Sequence, residues 1–136
     1  MMRVAAQPSR RAYSSSPSIR CSQLPQAFDF YTKVLDFEYA GGDDPQSDNG
    51  FLVLAREGHE IFLSNHDGGI RSIVAIMVED VDAVFRKFRA RGLKTPGNPD
   101  RPGEVHEGPI DQTWGTREFY VEDLDGNSLR FTQNIE

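Results

Sequence analysis

Histidine and acidic side chains, which could hold a metal ion or move a proton, are dispersed along this 136-residue chain. The three histidines, His59, His66 and His106, show neither HxH nor HxxxH spacing, so polar loop positions describe them better than a metal site. The segment from Asp123 to Asn127 resembles the start of a calcium loop, but the twelfth position holds Asn134 where an acid is needed. A hairpin turn explains that segment better. No GxSxG, P-loop or dinucleotide motif is present.

Aromatic side chains offer a different chemistry, the stacking of a planar ligand. Trp114 is the single tryptophan and comes just before an alternating strand, so its ring either packs in the core or stands at the mouth of a cavity. Phe51 and Phe62 lie in a second alternating region, where plain core packing is again the alternative to ligand contact. The acidic residues Asp48 and Glu104 belong to long polar loops that would rim such a cavity.

The elements that position these residues repeat in the same order along the chain. Two apolar hairpins turn near Gly58 and Gly126. Each follows an amphipathic helix, the first from Leu24 to Leu35 and the second from Val81 to Arg91, with Asp80 as the N-cap of the second. Strands are predicted near residues 16–22, 37–40, 50–56 and 60–65, and then near 71–79, 93–96, 116–122 and 127–133. The pattern predicts an α+β fold of two βαβββ modules, about 16–66 and 70–134, in one domain spanning 16–136.

Composition limits the class of protein. The hydrophobic fraction of 38% and the charged fraction of 26% are those of a globular domain. A net charge of −6 without a basic stripe opposes nucleic-acid binding, and no apolar run is long enough to span a bilayer. Cys21 is the only cysteine and falls in a predicted buried strand, so it forms no intrachain disulfide. By contrast, the run from Arg71 to Glu79 is almost continuously apolar, which predicts a strand covered on both faces.

Residues 1–15 differ from the rest of the chain, because they carry arginines and serines but no acid. This composition is typical of a flexible N-terminal arm. It also resembles a mitochondrial presequence. We expect a cytoplasmic bacterial protein, with organellar import as the alternative.

Four segments resemble the vicinal oxygen chelate superfamily of glyoxalases, bleomycin resistance proteins and extradiol dioxygenases. They are FDFYTKVLDFEY, HEIFLS, VEDVDAVFRKFRARG and DQTWGTREFYVEDLDGNSLRF, and the likeness spans about residues 17–133. The last segment is most similar to the bleomycin resistance branch. The resemblance implies a curved mixed sheet in each module, and commonly a homodimer with ligand sites between the chains.

The resemblance also implies where a metal would bind. In metal-dependent members, histidine, glutamate or glutamine side chains point inward at four strand positions, which fall here near Pro17, Phe62, Ile73 and Arg130. None of these side chains can ligate a divalent cation, and Arg130 would repel it. The resemblance therefore implies neither a metal nor another cofactor.

The sequence favours a non-catalytic protein of the bleomycin resistance type, which binds and sequesters a small, partly aromatic molecule. Ligand contacts are assigned to Phe51, Trp114, Phe62, Asp48 and Glu104, and the acidic net charge favours a cationic ligand. The alternative is an enzyme of the same superfamily, a glyoxalase-like lyase or a dioxygenase-like protein acting on a small metabolite. The partners expected are a small molecule and a second copy of the chain, with no nucleic acid and no membrane.

The four non-ligating residues generate a first prediction. Purified protein should contain no stoichiometric Zn, Ni, Fe or Mn, and should show no methylglyoxal-glutathione lyase activity when those ions are supplied. Elemental analysis checks the metal content, and about one tightly held ion per chain would contradict the prediction.

Overall fold

The computed structural model describes residues 16–65, 71–94 and 108–136, and two modules with the same element order account for them. The first contains β1 (Ser18–Arg20), α1 (Leu24–Asp29) continued by a π-helical turn (Phe30–Val34), β2 (Glu38–Gly42), β3 (Phe51–Arg56) and β4 (His59–Ser64). The second contains β5 (Ile73–Met77), α2 (Val81–Ala90), β6 (Ile110–Asp111), β7 (Thr116–Glu122) and β8 (Ser128–Asn134). The predicted α+β fold of two βαβββ modules is confirmed. The N-terminal arm lies outside the described residues.

Each module has a four-stranded mixed sheet, with strand orders β1-β4-β3-β2 and β5-β8-β7-β6. The first strand of each module runs parallel to the last, and the other pairs are antiparallel. The two hairpin strands of each module therefore occupy the centre of its sheet. Within the three described ranges, no helix is long and apolar enough to cross a bilayer.

The predicted hairpins and the second helix form where local chemistry placed them. Glu57 and Gly58 both have positive φ, 48° and 86°, as a two-residue type I′ turn requires. The Asp80 side chain caps α2 by accepting a hydrogen bond from the Ala83 amide. Gly92, with a φ of 110°, ends the helix.

The predicted strand 93–96 is wrong at its described residues, Leu93 and Lys94, while residues 95–96 lie outside the described ranges. The Leu93 amide bonds the Phe88 carbonyl and the Gly92 amide bonds the Arg89 carbonyl, which is the Schellman motif of a helix end. This motif turns Leu93 back onto the core instead of into a strand. The second strand of this module is β6, much later in the chain.

Alternation divides each sheet into a face packed on the helices and an open face. On the helix side, buried residues of both modules form one continuous core, which includes the stacked rings of Phe119 and Phe131, 5.3 Å apart. The open face consists of Phe51, Val53, Ala55, Glu60, Phe62 and Ser64 in the first sheet, and of Ile73, Ala75, Met77, Glu118, Tyr120, Arg130 and Thr132 in the second.

The prediction that β5 is covered on both faces is wrong, because Val74 and Ile76 are buried whereas Ile73 is 75% exposed. Nothing else in the described chain covers that side of β5.

A buried hydrogen-bond network connects the two modules. The Tyr31 hydroxyl at the π-helical turn donates to Asp123 Oδ2 over 2.6 Å. The Asp123 carboxylate also accepts from the Asp125 amide and from the amide and side chain of Asn127, each at 2.9 Å. Asn127 in turn donates to the Arg20 carbonyl of β1. The side chains of Asp123 and Asn127 are therefore engaged in hydrogen bonds within the protein. The segment that resembles the start of a calcium loop is a hairpin turn held by these bonds.

A second connection between the modules is electrostatic. Asp36, at a φ of 65°, accepts from Lys87 Nζ at 2.7 Å and lies 3.0 Å from Arg91 Nη2, both at the second helix. The buried Arg56 of β3 reaches the same carboxylate at 3.6 Å and places its guanidinium 5.4 Å from the centre of the Phe88 ring. One carboxylate thus draws three cations to the junction between the modules.

The buried network predicts the behaviour of Tyr31→Phe. Burial, followed by the nearby Asp123, raises the pKa of Tyr31 well above its ordinary value, so the folded state keeps the phenol neutral. The stabilisation is fully present below about pH 10, where the unfolded tyrosine ionises, and is lost as the pH rises toward the folded pKa. Tyr31→Phe should lower the free energy of unfolding by about 1–3 kcal/mol at neutral pH, and this deficit should shrink above about pH 10.

Urea unfolding of both proteins across the pH range measures this difference. The matched control is Tyr39→Phe, because the Tyr39 hydroxyl bonds backbone carbonyls at an exposed site. It should cost less than about 0.5 kcal/mol. Equal effects at the two tyrosines would show that the network carries no special stability.

Candidate ligand-binding site

The open face of the first sheet carries a pair of aromatic rings. Phe51 and Phe62 make an edge-to-face contact with ring centres 5.5 Å apart. Phe51 is 37% exposed and Phe62 is half-buried, so neither is an ordinary core residue. The two rings stand on paired strands at 71° to each other, so a planar ligand can stack on the face of one ring and contact the edge of the other.

The acidic loop after β2 is attached to this aromatic pair. The Asp43 carboxylate accepts a hydrogen bond from the Phe51 amide at 2.9 Å, and the Asp43 amide donates to the Phe51 carbonyl at the same distance. Asp48 is exposed in this loop, and its carbonyl accepts from the Asn65 side chain. Asp48 thus belongs to the loop that is bonded to Phe51, and its role at the rim of a ligand site stays a prediction. Glu104 lies outside the described residues.

Trp114 lies in the turn between β6 and β7 and is 61% exposed. The alternative that packs its ring in the core is therefore wrong. The turn is held by the Gln112 amide, which bonds the Thr116 carbonyl, and by Gly115, whose φ is 94°. This backbone presents the indole to solvent at the end of the second sheet.

Phe51 and Trp114 do not meet within one chain. Phe51 lies on the first sheet and Trp114 in a turn of the second module, and no ring contact joins them in the part of the chain that the structure describes. A stacking clamp made by both rings would need a second chain.

The open face of the second sheet carries a charged pair that sequence reasoning did not assign to the site. Glu118 on β7 is 1% exposed, and its Oε1 lies 3.6 Å from Arg130 Nε on β8. The Arg130 guanidinium lies over the Tyr120 ring, 4.7 Å from its centre. The available signal was the alternation of β7, since Glu118 is out of phase with the core residues Phe119 and Val121.

The positions implied for a metal are occupied by side chains that cannot bind one. Phe62, Ile73 and Arg130 lie on the open faces, and Pro17 comes just before β1. Among the residues described, no three histidine, cysteine, aspartate or glutamate side chains gather as a metal site would need. The residues present therefore do not fit the divalent ion of the metal-dependent members.

His59 and Cys21 are two other side chains whose chemistry could serve a site, and both are occupied or unreactive where they lie. His59 Nε2 lies 2.9 Å from the Met77 carbonyl, at the junction of the modules, whereas His66 and His106 are outside the described ranges. Burial raises the pKa of the Cys21 thiol to about 12, with Asp125 and Asp123 adding to the effect. A thiol that stays protonated at neutral pH is a poor nucleophile.

A groove of about 280 Å³ lies between the modules, away from the predicted site residues. It is lined by Arg56, Glu57, Val78, Glu79, Asp80, Ala83, Val84 and Lys87. Its walls include the cations that meet Asp36. The groove thus belongs to the electrostatic junction, and the aromatic surface lies on the open sheet faces.

These features define the class of protein. The model of the Glyoxalase/Bleomycin resistance protein/Dioxygenase superfamily matches residues 14–131, so the chain belongs to this superfamily. The resemblance drawn from the sequence is confirmed.

Solved structures show the same fold. TioX from Micromonospora sp. ML1 is 20% identical, with 90% of this chain and 99% of that chain covered and a TM-score of 0.70. A bleomycin-binding protein complexed with bleomycin is 19% identical, with coverage of 90% and 99% and a TM-score of 0.72. The bleomycin-binding protein from bleomycin-producing Streptomyces verticillus, complexed with copper(II)-bleomycin, is 22% identical, with coverage of 93% and 99% and a TM-score of 0.71. At these identities the likeness establishes the fold alone. No curated protein matches the sequence significantly.

Proposed function

We propose that this protein binds and sequesters a small, partly aromatic molecule of the kind that bleomycin-binding proteins take. The observation that carries the proposal is the contact between the exposed Phe51 and the half-buried Phe62 on an open sheet face, with Trp114 exposed at the end of the other sheet. Aromatic rings held on strands lose little freedom when a planar ligand stacks on them. Two structures of the same fold are complexes with bleomycin or copper(II)-bleomycin, which supports this ligand class.

Charge favours a cationic ligand. The chain carries a net charge of −6, and the loop with Asp43 and Asp48 borders the aromatic pair. Acidic groups beside an apolar surface attract a cation over long range and guide it to the rings. Added salt should weaken this attraction.

The same open faces support a homodimer. Ile73 is 75% exposed, Ile110 45% and Met77 44%, which leaves apolar side chains on the open side of the second sheet. A two-fold axis that placed the second sheet of one chain against the first sheet of its partner would cover these residues and create two equal clefts. Each cleft would combine Phe51 of one chain with Trp114 of the other, so that the ligand touches both.

The alternative is a superfamily enzyme that converts a small metabolite. Cys21 is a poor nucleophile, because burial raises the pKa of its thiol and keeps it protonated at neutral pH. Recovery of the bound molecule separates the two functions. A sequestering protein returns its ligand chemically unchanged, whereas an enzyme returns a product that mass spectrometry detects.

Ligand binding is tested with bleomycin. Because Trp114 is the only tryptophan, stacking on it should quench the intrinsic fluorescence, and calorimetry should give a dissociation constant. Trp114→Ala and Phe51→Ala should each cost about 1–4 kcal/mol of binding free energy, as buried aromatic anchors do. Both variants should keep a cooperative unfolding transition.

The matched control is Leu124→Ala, since Leu124 is 62% exposed in the β7–β8 turn, away from the open faces. Its affinity should equal that of the wild type. Wild-type protein that gives neither quenching nor heat with bleomycin would overturn the proposed ligand class.

Assembly is tested by sedimentation. At tens of micromolar, the wild type should sediment with twice the 15.3 kDa mass of one chain. Ile73→Asp should shift it toward monomer, because a charge placed in an apolar interface is costly to bury. Leu124→Asp should leave the dimer intact. A wild-type monomer at this concentration would contradict the proposal.

A further inference from the structure

The centre of the second sheet's open face is polar, and its position in the fold is fixed by strand register. Glu118 pairs with Thr132, and Tyr120 pairs with Arg130, across the two central strands β7 and β8. Four side chains on one side of this pair therefore form a continuous patch, which we call the polar floor: Glu118, Tyr120, Arg130 and Thr132.

The polar floor is buried yet incompletely bonded. Glu118 is 1% exposed and Thr132 is 5% exposed. Glu118 Oε2, Arg130 Nε and Thr132 Oγ1 are all shielded from solvent, and none of them has a hydrogen-bond partner among the described residues. The 3.6 Å between Arg130 Nε and Glu118 Oε1 is too long for a hydrogen bond. Native proteins rarely leave neighbouring buried donors and acceptors unsatisfied, because each one costs stability.

Arg117, which precedes Glu118 on β7, forms an ion pair with short hydrogen bonds. Arg117 faces the helix side and bonds Asp82 at 3.1 Å and Asp111 at 2.9 Å. Its guanidinium is satisfied by direct, charge-assisted hydrogen bonds.

Among the described residues, Glu118 and Arg130 make no such direct hydrogen bond to each other. Arg56 is likewise left 3.6 Å from Asp36 with its Nε and Nη1 unsatisfied, but it is buried over the Phe88 ring. The Arg130 side chain is 33% exposed, so a partner from outside the chain can reach it.

The unsatisfied atoms define the chemistry of that partner. Glu118 Oε2 can only accept a hydrogen bond when the carboxylate is ionised, and Arg130 Nε can only donate one. A group that complements both presents an N–H donor beside a carbonyl acceptor, as a carboxamide or urea edge does. The Arg130 side chain is 33% exposed, so a ligand can reach its guanidinium, which lies beside the Glu118 carboxylate.

We propose that Glu118 and Arg130 recognise a carboxamide-like edge of the ligand, while the aromatic part of the same ligand stacks on Phe51 and Trp114. This inference rests on the proposed binding function and names the chemical group that confers specificity at that site. A resident charge pair of opposite signs favours a neutral, two-sided hydrogen-bonding group over a simple anion, because an anion would be repelled by Glu118.

The test uses three probes that share one planar ring system: 2-phenylthiazole-4-carboxamide, its methyl ester and its carboxylate. The wild type should bind the carboxamide at least about tenfold more tightly than the ester or the carboxylate, since one charge-assisted hydrogen bond supplies such a factor. Ligand-observed NMR titration measures the three dissociation constants.

Two isosteric or near-isosteric variants locate the effect. Glu118→Gln and Arg130→Met should each lower carboxamide affinity about tenfold and leave ester affinity within a factor of two. Asp29→Asn is the charge-matched control, because Asp29 is an exposed helix residue paired with Lys33. It should change none of the three constants.

The outcomes separate this inference from the proposed function. If the carboxamide and the ester bind the wild type equally, the inference is overturned whatever the variants do, and the stacking function stands. If none of the three probes binds and bleomycin does not quench Trp114, the proposed function itself fails. Should a variant not fold, the probe series on the wild type still decides.

Discussion

The buried carboxylate of Asp123 is the interaction on which the arrangement of the modules depends. It accepts four hydrogen bonds, from Tyr31, from the Asp125 amide, and from the amide and side chain of Asn127. Asn127 extends the network to the Arg20 carbonyl and to the Ser72 amide. A buried charge is tolerated only when its lone pairs are filled in this way. The turn between β7 and β8 is thus bonded to the helical segment of the first module, to β1, and to the residue directly before β5.

That network has a consequence for the two faces of each sheet. With the modules joined on the helix side, apolar residues such as Phe88, Phe119 and Phe131 pack into one core. The opposite faces keep exposed apolar side chains, and Ile73 and Phe51 are among them. The strands that carry the open faces are the same strands that build the core. Any site on the open faces is therefore supported from behind by the packed core.

Local signals predicted the elements well where the deciding contacts are local. The N-cap at Asp80, the positive φ at Gly58 and the alternation of β7 and β8 depend on neighbours a few residues away, and the structure has all three. The strand expected at residues 93–96 failed at Leu93, because an apolar residue after a helix serves a Schellman motif as readily as a strand. The prediction that β5 is covered on both faces also failed. A continuous apolar run shows that a strand can be buried, but it does not show which elements pack against its two faces.

The candidate site also combines features that the sequence predicts with features that depend on long-range packing. The sequence by itself determined the superfamily, the two-module fold and the aromatic residues at positions 51, 62 and 114, because periodicity and motif residues are properties of the chain. Only the tertiary structure decided that Phe51 contacts Phe62, that Trp114 is exposed, and that no ring contact joins Phe51 to Trp114 within the described chain. It alone placed Glu118 beside Arg130 and left Glu118 Oε2 and Arg130 Nε without a hydrogen bond among the described residues. The physical reason is that strand register sets these distances and the packing on each sheet face sets the exposures, and both depend on residues far apart in the chain.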